Sequence, residues 1–237
     1  MSEKKTGCMV CGEELIYTDE PEKLQCVYCK NEYDSNAKCS AGHFVCDSCH
    51  ALGAVELIEQ YCQSSSSENP LEMAVTLMKS PRVKMHGPEH HFLVPAVLLT
   101  AYYNIKKDKE AKLKKLKVAK GRSEKILGGF CGFYGTCGAA VGTGIFISLI
   151  TDSTPLAKEG WRQSNLITAR SLETIANHGG PRCCKRNTYW ALREAVKFLD
   201  EHFGVKIEIN ENIICEFNEL NKECLEDECR YYQDKGL

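Results

Sequence analysis

The sequence predicts a mainly α fold: a helical bundle domain with a small hairpin-built module in front of it and a short β segment behind. Three observations predict this. Cysteine and histidine pairs crowd the first fifty residues, where long apolar runs are few. Apolar residues then recur at spacings of three and four through the middle of the chain. After residue 204 two short apolar runs, Val205 to Ile209 and Ile213 to Phe217, flank Asn210-Glu211-Asn212 as strands flank a turn. The implied divisions are 1–50, 51–69 (a helix and a serine-rich linker), 70–204 and 205–237.

With 237 residues, 43% of them apolar, the chain can bury a substantial core. Its 30 basic and 32 acidic residues give no global charge signature for nucleic acid or an acidic substrate. Fifteen cysteines behind an N-terminus without an apolar leader point to reduced thiols and metal chemistry in a cytoplasmic setting rather than to a disulfide framework. Leu127 to Ile150 carries no charge. Its seven glycines and short apolar part favour a packed helix after a glycine-rich loop over a membrane span, so no membrane partner is expected.

In chain order, a helix is expected from Ala51 to Cys62, then a linker through Gln63 to Glu68. Asn69-Pro70 supplies a cap and first residue for the next helix. Pro88 opens an apolar run through Tyr103 that is hydrophobic nearly all round and so buried, with a kink expected at Pro95. Lys106 to Arg122 reads as a solvated basic helix face. Leu166, Ala169, Leu172, Ile175 and Ala176 form one helix face that ends at Gly179-Gly180. Tyr189, Leu192, Val196, Leu199 and Phe203 form another, opened by Pro181.

The chemistry starts in the first module. Cys8, Cys11, Cys26, Cys29, Cys39, His43, Cys46 and Cys49 are eight soft ligands at metal-binding spacing, enough for two tetrahedral zinc ions. A CxxC turn aims two thiolates at one ion, and the ion replaces a core that so small a unit cannot build. Closed four-ligand sites leave no position for substrate, so this zinc is expected to be structural. Two pairings are open. Cys8, Cys11, Cys26 and Cys29 can close one ribbon-type site and the remaining four the other, or the pairs can interleave in a cross-brace. The run from Cys39 to Cys49 resembles the centre of a RING-type finger, but the full RING ligand order is absent and no ubiquitin-ligase role is implied. His50 reads as a spare polar residue.

Further along, GGFCGFYGTCGAAVGTG (128–144) places Cys131 and Cys137 in a glycine-rich loop leading into a helix, where Gly138 and Gly142 permit close packing. GGPRCCKR (179–186) sets Cys183 and Cys184 at another helix start among Arg182, Lys185 and Arg186, a setting that favours thiolates. Neither loop is a phosphate loop or a dinucleotide fingerprint. Cys215, Cys224 and Cys229 can hold an iron–sulfur cluster with an open fourth position, or complete one with a thiol from the glycine loops. His86, Glu89, His90 and His91 can act as acid–base groups or as caps and packing, and His178 has the same two readings.

HGPEHHFLVPAVLL, GGFCGFYGTCGAAVGTG, GGPRCCKR and the terminal cysteines together resemble an uncharacterised domain-of-unknown-function family of anaerobic bacteria and methanogenic archaea. The resemblance covers most of the chain behind the zinc module and implies an anaerobic, cluster-tolerant cytosol. It supplies no reaction. The resulting expectation is iron–sulfur or thiolate chemistry on a small or sulfur-containing substrate. Cys131, Cys137, Cys183 and Cys184 are its central thiols, Arg182, Lys185 and Arg186 its anion-binding charges, and His90 or His91 its proton carrier. The rival is a non-catalytic accessory protein whose fingers bind a partner protein while the body carries metal. RNA binding through the fingers and the lysine stretch is a third, less favoured reading.

Overall fold

The structure, a computed structural model, describes residues 8, 10–47, 49, 52–210 and 212–233. His50 and Ala51 lie outside these. An antiparallel hairpin, β1 (Leu15–Gln25) and β2 (Glu32–Cys39), is followed by eight helices among the described residues. They are α1 (Ala54–Ser64), α2 (Pro70–Lys79), α3 (Glu89–Ile105), α4 (Lys109–Ser123), α5 (Phe130–Phe133), α6 (Gly138–Ile150), α7 (Glu159–Asn177) and α8 (Cys184–Phe203). The fold class is the expected one, mainly helical behind an N-terminal hairpin.

The bundle is built around α3 and α6, apolar or small nearly all round, and α8, an amphipathic helix whose residues 185–196 are all buried. Phe92 to Leu99 of α3 are buried without a break, and Pro95 sits inside the helix. The glycines of α6 let it lie directly on α3. A Cβ on Gly142 would stand 2.9 Å from Pro95 Cδ and 3.1 Å from Val94 Cβ, and one on Gly138 would run into the His91 ring. On the opposite side Gly144 packs against Thr168 of α7. Local signals set the helix ends, the Asn69 cap being the expected one. Asn69 Oδ1 accepts the N–H groups of Leu71 and Glu72 at 3.0 and 3.2 Å, and Gly204 closes α8 in the left-handed region at φ +63°.

Four expectations change. The serine run at 63–68 is packed chain rather than a free linker. Ser64 Oγ donates to the Tyr28 carbonyl, and the carbonyls of Ser65 and Ser67 accept from Asn104 Nδ2. Hairpin module and bundle accordingly share one continuous core, with Tyr28 edge-on to Tyr61 of α1. The basic helix α4 is partly turned inward: Lys112 Nζ donates to Ser65 O and Asn104 Oδ1 at 2.9 Å each, Lys120 pairs with Glu59 at 2.7 Å, and Lys115 with Asp152. On α7 the buried line is Gln163, Ile167, Ser171 and Ile175, while Ala169 and Ala176 are exposed. Finally, no strand forms among the described residues of the C-terminal segment. Val205 and Ile207 alternate inward as a strand would, but their apolar side lies on α8 instead of pairing with a ladder partner. From Ile213 on, only two single-turn 3₁₀ segments, 218–220 and 226–228, interrupt irregular chain.

Candidate functional site

The eight N-terminal ligands assemble into two groups, Cys8, Cys11, Cys39 and His43, and Cys26, Cys29, Cys46 and Cys49. Within each, all ligating atoms lie within 4.8 Å of one another. This is the cross-braced pairing. The first CxxC turn belongs to one centre, β1 carries the chain to the other, β2 returns it, and the last CxxC goes back again. Hairpin register enforces the return, because Leu15 pairs with Cys39 and so brings Cys39 beside the turn that holds Cys11. The first two CxxC turns close on a left-handed residue directly after their second cysteine, Gly12 at φ +81° and Lys30 at φ +62°. Gly12 N–H donates to Cys8 O at 2.8 Å and Lys30 N–H to Cys26 O at 3.0 Å.

The sulfurs are close enough for a shared ion. Cys11 Sγ is 3.4 Å from Cys39 Sγ and 3.3 Å from His43 Nδ1, and Cys29 Sγ is 3.8 Å from Cys46 Sγ. A tetrahedral ion with bonds of about 2.3 Å sets its sulfurs about 3.8 Å apart. Burial works against the Cys39 thiolate, yet the Ala41 N–H and hydrogen bonds from Cys11, His43 and Cys8 outweigh it and bring Cys39 down to about 6. The same contest, decided by backbone N–H groups, lowers Cys26. Burial pushes Cys11 up to about 11 and also raises Cys29 and Cys49, helped by their sulfur neighbours. One thiolate per centre is favoured and repels a second, a conflict that a bound dication removes. Both groups can therefore hold a metal ion.

In the bundle the two glycine-rich loops meet. The loop before α6 and the turn between α7 and α8 form opposite walls of an open cleft of about 600 Å³, with Cys131 and Cys137 on one wall and Gly179, Gly180, Arg182, Arg186 and Asn187 on the other. Leu172, Ile175 and Ala176 of α7 line its floor, so the apolar side of α7 is shared between the core, which takes Ile175, and the cleft. Cys137 is the N-cap of α6, and Asn187 Nδ2 donates to its sulfur at 3.5 Å. No sequence pattern singles out Asn187. Its signal is its place one turn into α8, on the side of the helix start that faces the loop.

The shared four-thiol centre expected of Cys131, Cys137, Cys183 and Cys184 is divided. Cys183 is the extended N-cap of α8 and turns away from the cleft, toward a cavity that it lines with Cys215, Cys224 and Cys229. Cys184 is the first helical residue. It takes a hydrogen bond from the Gly87 N–H, and burial pushes it up to about 11. Arg182 is at the cleft, but Lys185 is not. Its Nζ donates to the carbonyls of Met78 and Val83 at 2.7 and 3.2 Å, and burial pulls it down to about 8. Arg186 hydrogen-bonds Gly179 O and Pro181 O through Nη2 and so holds the turn that forms the wall.

The histidines do not converge on the cleft. His90 is buried with both nitrogens engaged, Nδ1 with Thr188 Oγ1 at 3.2 Å and Nε2 with Lys84 O at 3.1 Å. Burial first, then Lys185, lowers it to about 3, so it is a neutral packing group, a placement that does not fit a proton carrier. His91 donates through Nδ1 to Ile126 O at 3.0 Å and lies flat against Gly138. His86 reaches Asn221 Oδ1, and His178 stacks on Trp190 with centroids 3.7 Å apart. No helix among the described residues is long and apolar enough to cross a membrane.

Fold and site together define a cysteine-rich helical protein with, at its N-terminus, a cross-braced module whose two four-ligand groups can each hold a metal ion. Residues 58–232 match a family described as a family of unknown function (DUF5714), and since this is well over half of the chain, the protein belongs to that family. The match starts inside α1, so it takes in the bundle and the C-terminal cysteines but not the eight metal ligands. Comparison with curated proteins and with solved structures finds no match for the chain.

Proposed function

We propose that this is a thiol-dependent enzyme acting on a small anionic, sulfur-containing substrate in the cleft between the glycine loops, with two structural zinc ions in the N-terminal module. The observation that carries the reading is a pair of unpartnered polar atoms in the cleft wall. Arg186 Nε and Asn187 Oδ1 are buried without a hydrogen-bond partner, on residues only 5% and 6% exposed. Leaving such groups unpaired costs about 1–3 kcal/mol each, and a ligand that accepts from arginine and donates to the amide recovers it. Beside them Cys137 offers a nucleophile with the positive end of α6 and an amide donor at its sulfur, and Cys131 stands on the same wall. Arg182 adds a cation at the mouth.

The test is protection of the cleft thiols. L-Cysteine and thiosulfate, added separately, are expected to slow iodoacetamide labelling of Cys131 and Cys137 at least fivefold, with Asn187→Ala abolishing the protection. Equal labelling with and without both compounds would sink the cleft reading. Zinc is preferred for the N-terminal centres because closed sets of four thiolates, or of three thiolates and one imidazole, are its usual structural sites.

A second reading has its own support. The hairpin leaves Tyr17 74% and Ile16 43% exposed beside the metal centres. That is a suitable contact for a partner protein, as an accessory role would require. Loss of every thiol activity in purified protein, together with a stable complex that Tyr17→Ser disrupts, would favour it.

A further inference from the structure

We infer that Cys183, Cys215, Cys224 and Cys229 are the four ligands of a [4Fe–4S] cluster, a third metal centre on the far side of the α8 start from the cleft. The inference goes beyond the cleft reading and uses none of the cleft thiols.

Four cysteines from two distant chain segments line one small cavity of about 20 Å³. That is room for little more than one water, so a cluster is seated only as the irregular tail that forms one wall moves outward around it. The sulfurs carry the same local wiring as the N-terminal ligands. At the first N-terminal centre Val10 N–H donates to Cys8 Sγ and Ala41 N–H to Cys39 Sγ, both at 3.3 Å and both two residues on. Here Phe217 N–H donates to Cys215 Sγ and Glu226 N–H to Cys224 Sγ, again two residues on and at 3.4 Å. Arg186 N–H serves Cys183 at 3.4 Å. Such bonds orient a ligating sulfur and spread its negative charge.

Two further facts choose a cluster over a single ion. Among the described residues, only the eight N-terminal ligands bring their ligating atoms within 4.8 Å of one another. The four sulfurs here are set more widely around their cavity, as a centre of several metal atoms requires. The tail that carries three of them also lacks strand and helix apart from the two 3₁₀ turns, and is held to itself by turn hydrogen bonds, such as Cys215 N–H to Tyr231 O at 2.6 Å, rather than by a ladder. A segment with so little regular structure is held well by a metal centre. On binding, the four thiols release their protons to solvent, and two ferrous and two ferric ions supplied together with four sulfides assemble so that each cysteine sulfur holds one iron. The core carries two positive charges, so the four thiolate charges fall to a net two, next to Arg186, which lines the same cavity.

The test uses the full chain, purified and reconstituted anaerobically with iron and sulfide in the presence of zinc. Expected are about four iron and about four sulfide per chain on top of about two zinc, with brown colour that bleaches on reduction. Cys215→Ser and Cys229→Ser should each lower iron at least fivefold and leave zinc and helical circular dichroism unchanged, whereas Cys131→Ser keeps the iron. If a variant unfolds, alkylation of the wild type decides: Cys183, Cys215, Cys224 and Cys229 are protected in the reconstituted protein and labelled after iron chelation. A third zinc with no iron, iron that survives both tail variants, or iron lost with Cys131→Ser would each overturn the assignment. The thiol-protection result in the cleft stands or falls separately.

Discussion

The N-terminal module and the helical bundle reach their folded states by different routes. The module has a two-stranded hairpin with mostly exposed faces, and its buried side chains are chiefly its own ligands. The bundle has three helices that bury nearly every side chain, packed so closely that glycine is needed where α6 crosses α3 and α7. One region gathers ligands that can be held by a few strong, directional bonds to an ion; the other is held by many weak contacts. Removing one component should therefore be catastrophic in the first and graded in the second.

The largest effect tests the first half of that contrast. Chelating the N-terminal metal, or Cys26→Ser, should remove most of the free energy that orders the hairpin, on the order of 10 kcal/mol for a structural zinc site. Limited proteolysis should then cut within residues 10–47, while far-ultraviolet circular dichroism keeps its helical signal. Because Tyr28 packs on Tyr61, the bundle should melt a few degrees lower. A bundle that unfolds together with the module would mean the two share one cooperative unit.

Next in size, Phe146→Ala in the centre of α6 should cost about 3–5 kcal/mol by urea denaturation with zinc content unchanged, since Phe146 is fully buried. Loss of zinc in that variant would erase the distinction between the regions.

The third is a pH effect confined to the bundle. His90 is neutral in the folded protein, depressed to about 3, against an unfolded value near 6.5. Its contribution is complete above about pH 6.5 and declines below it, because only the unfolded chain then takes up the proton. Facing it are Lys185, His91 and His86, all cationic when charged, which reinforce that sign. Between pH 6.5 and 5 the wild-type bundle should lose about 2 kcal/mol relative to His90→Gln. Parallel pH profiles would contradict the buried neutral imidazole. The smallest effect is Asn69→Ala, which removes the cap of α2 and should cost about 1 kcal/mol, read as a shift in urea midpoint.

What the sequence revealed depended on range. Helix α8 and the cap at Asn69 are local patterns and read directly. So are the eight ligands, because CxxC spacing is itself a turn geometry. Their pairing is not local: it depends on β1 and β2 shuttling the chain between centres, which two equally spaced pairings leave open. The tail misled because alternation at Val205 and Ile207 records a buried side without saying whether a strand or a helix covers it. Cys183 and Cys184 read as one unit in sequence, yet the boundary of α8 falls between them. An extended N-cap and a first helical residue send their side chains in different directions, and a boundary is legible only to within a residue or two.

The interleaving of the N-terminal ligands also bears on how the module fills. The first ion to bind must close a loop of 36 residues, from Cys8 to His43, or of 24, from Cys26 to Cys49, and it bears most of the ordering entropy. The hairpin it fixes then presents the other four ligands already gathered, so the second ion meets a preorganised site. Uptake should be cooperative, with half-filled protein scarce at every stage of a titration, a behaviour that two independent ribbons in series would not share.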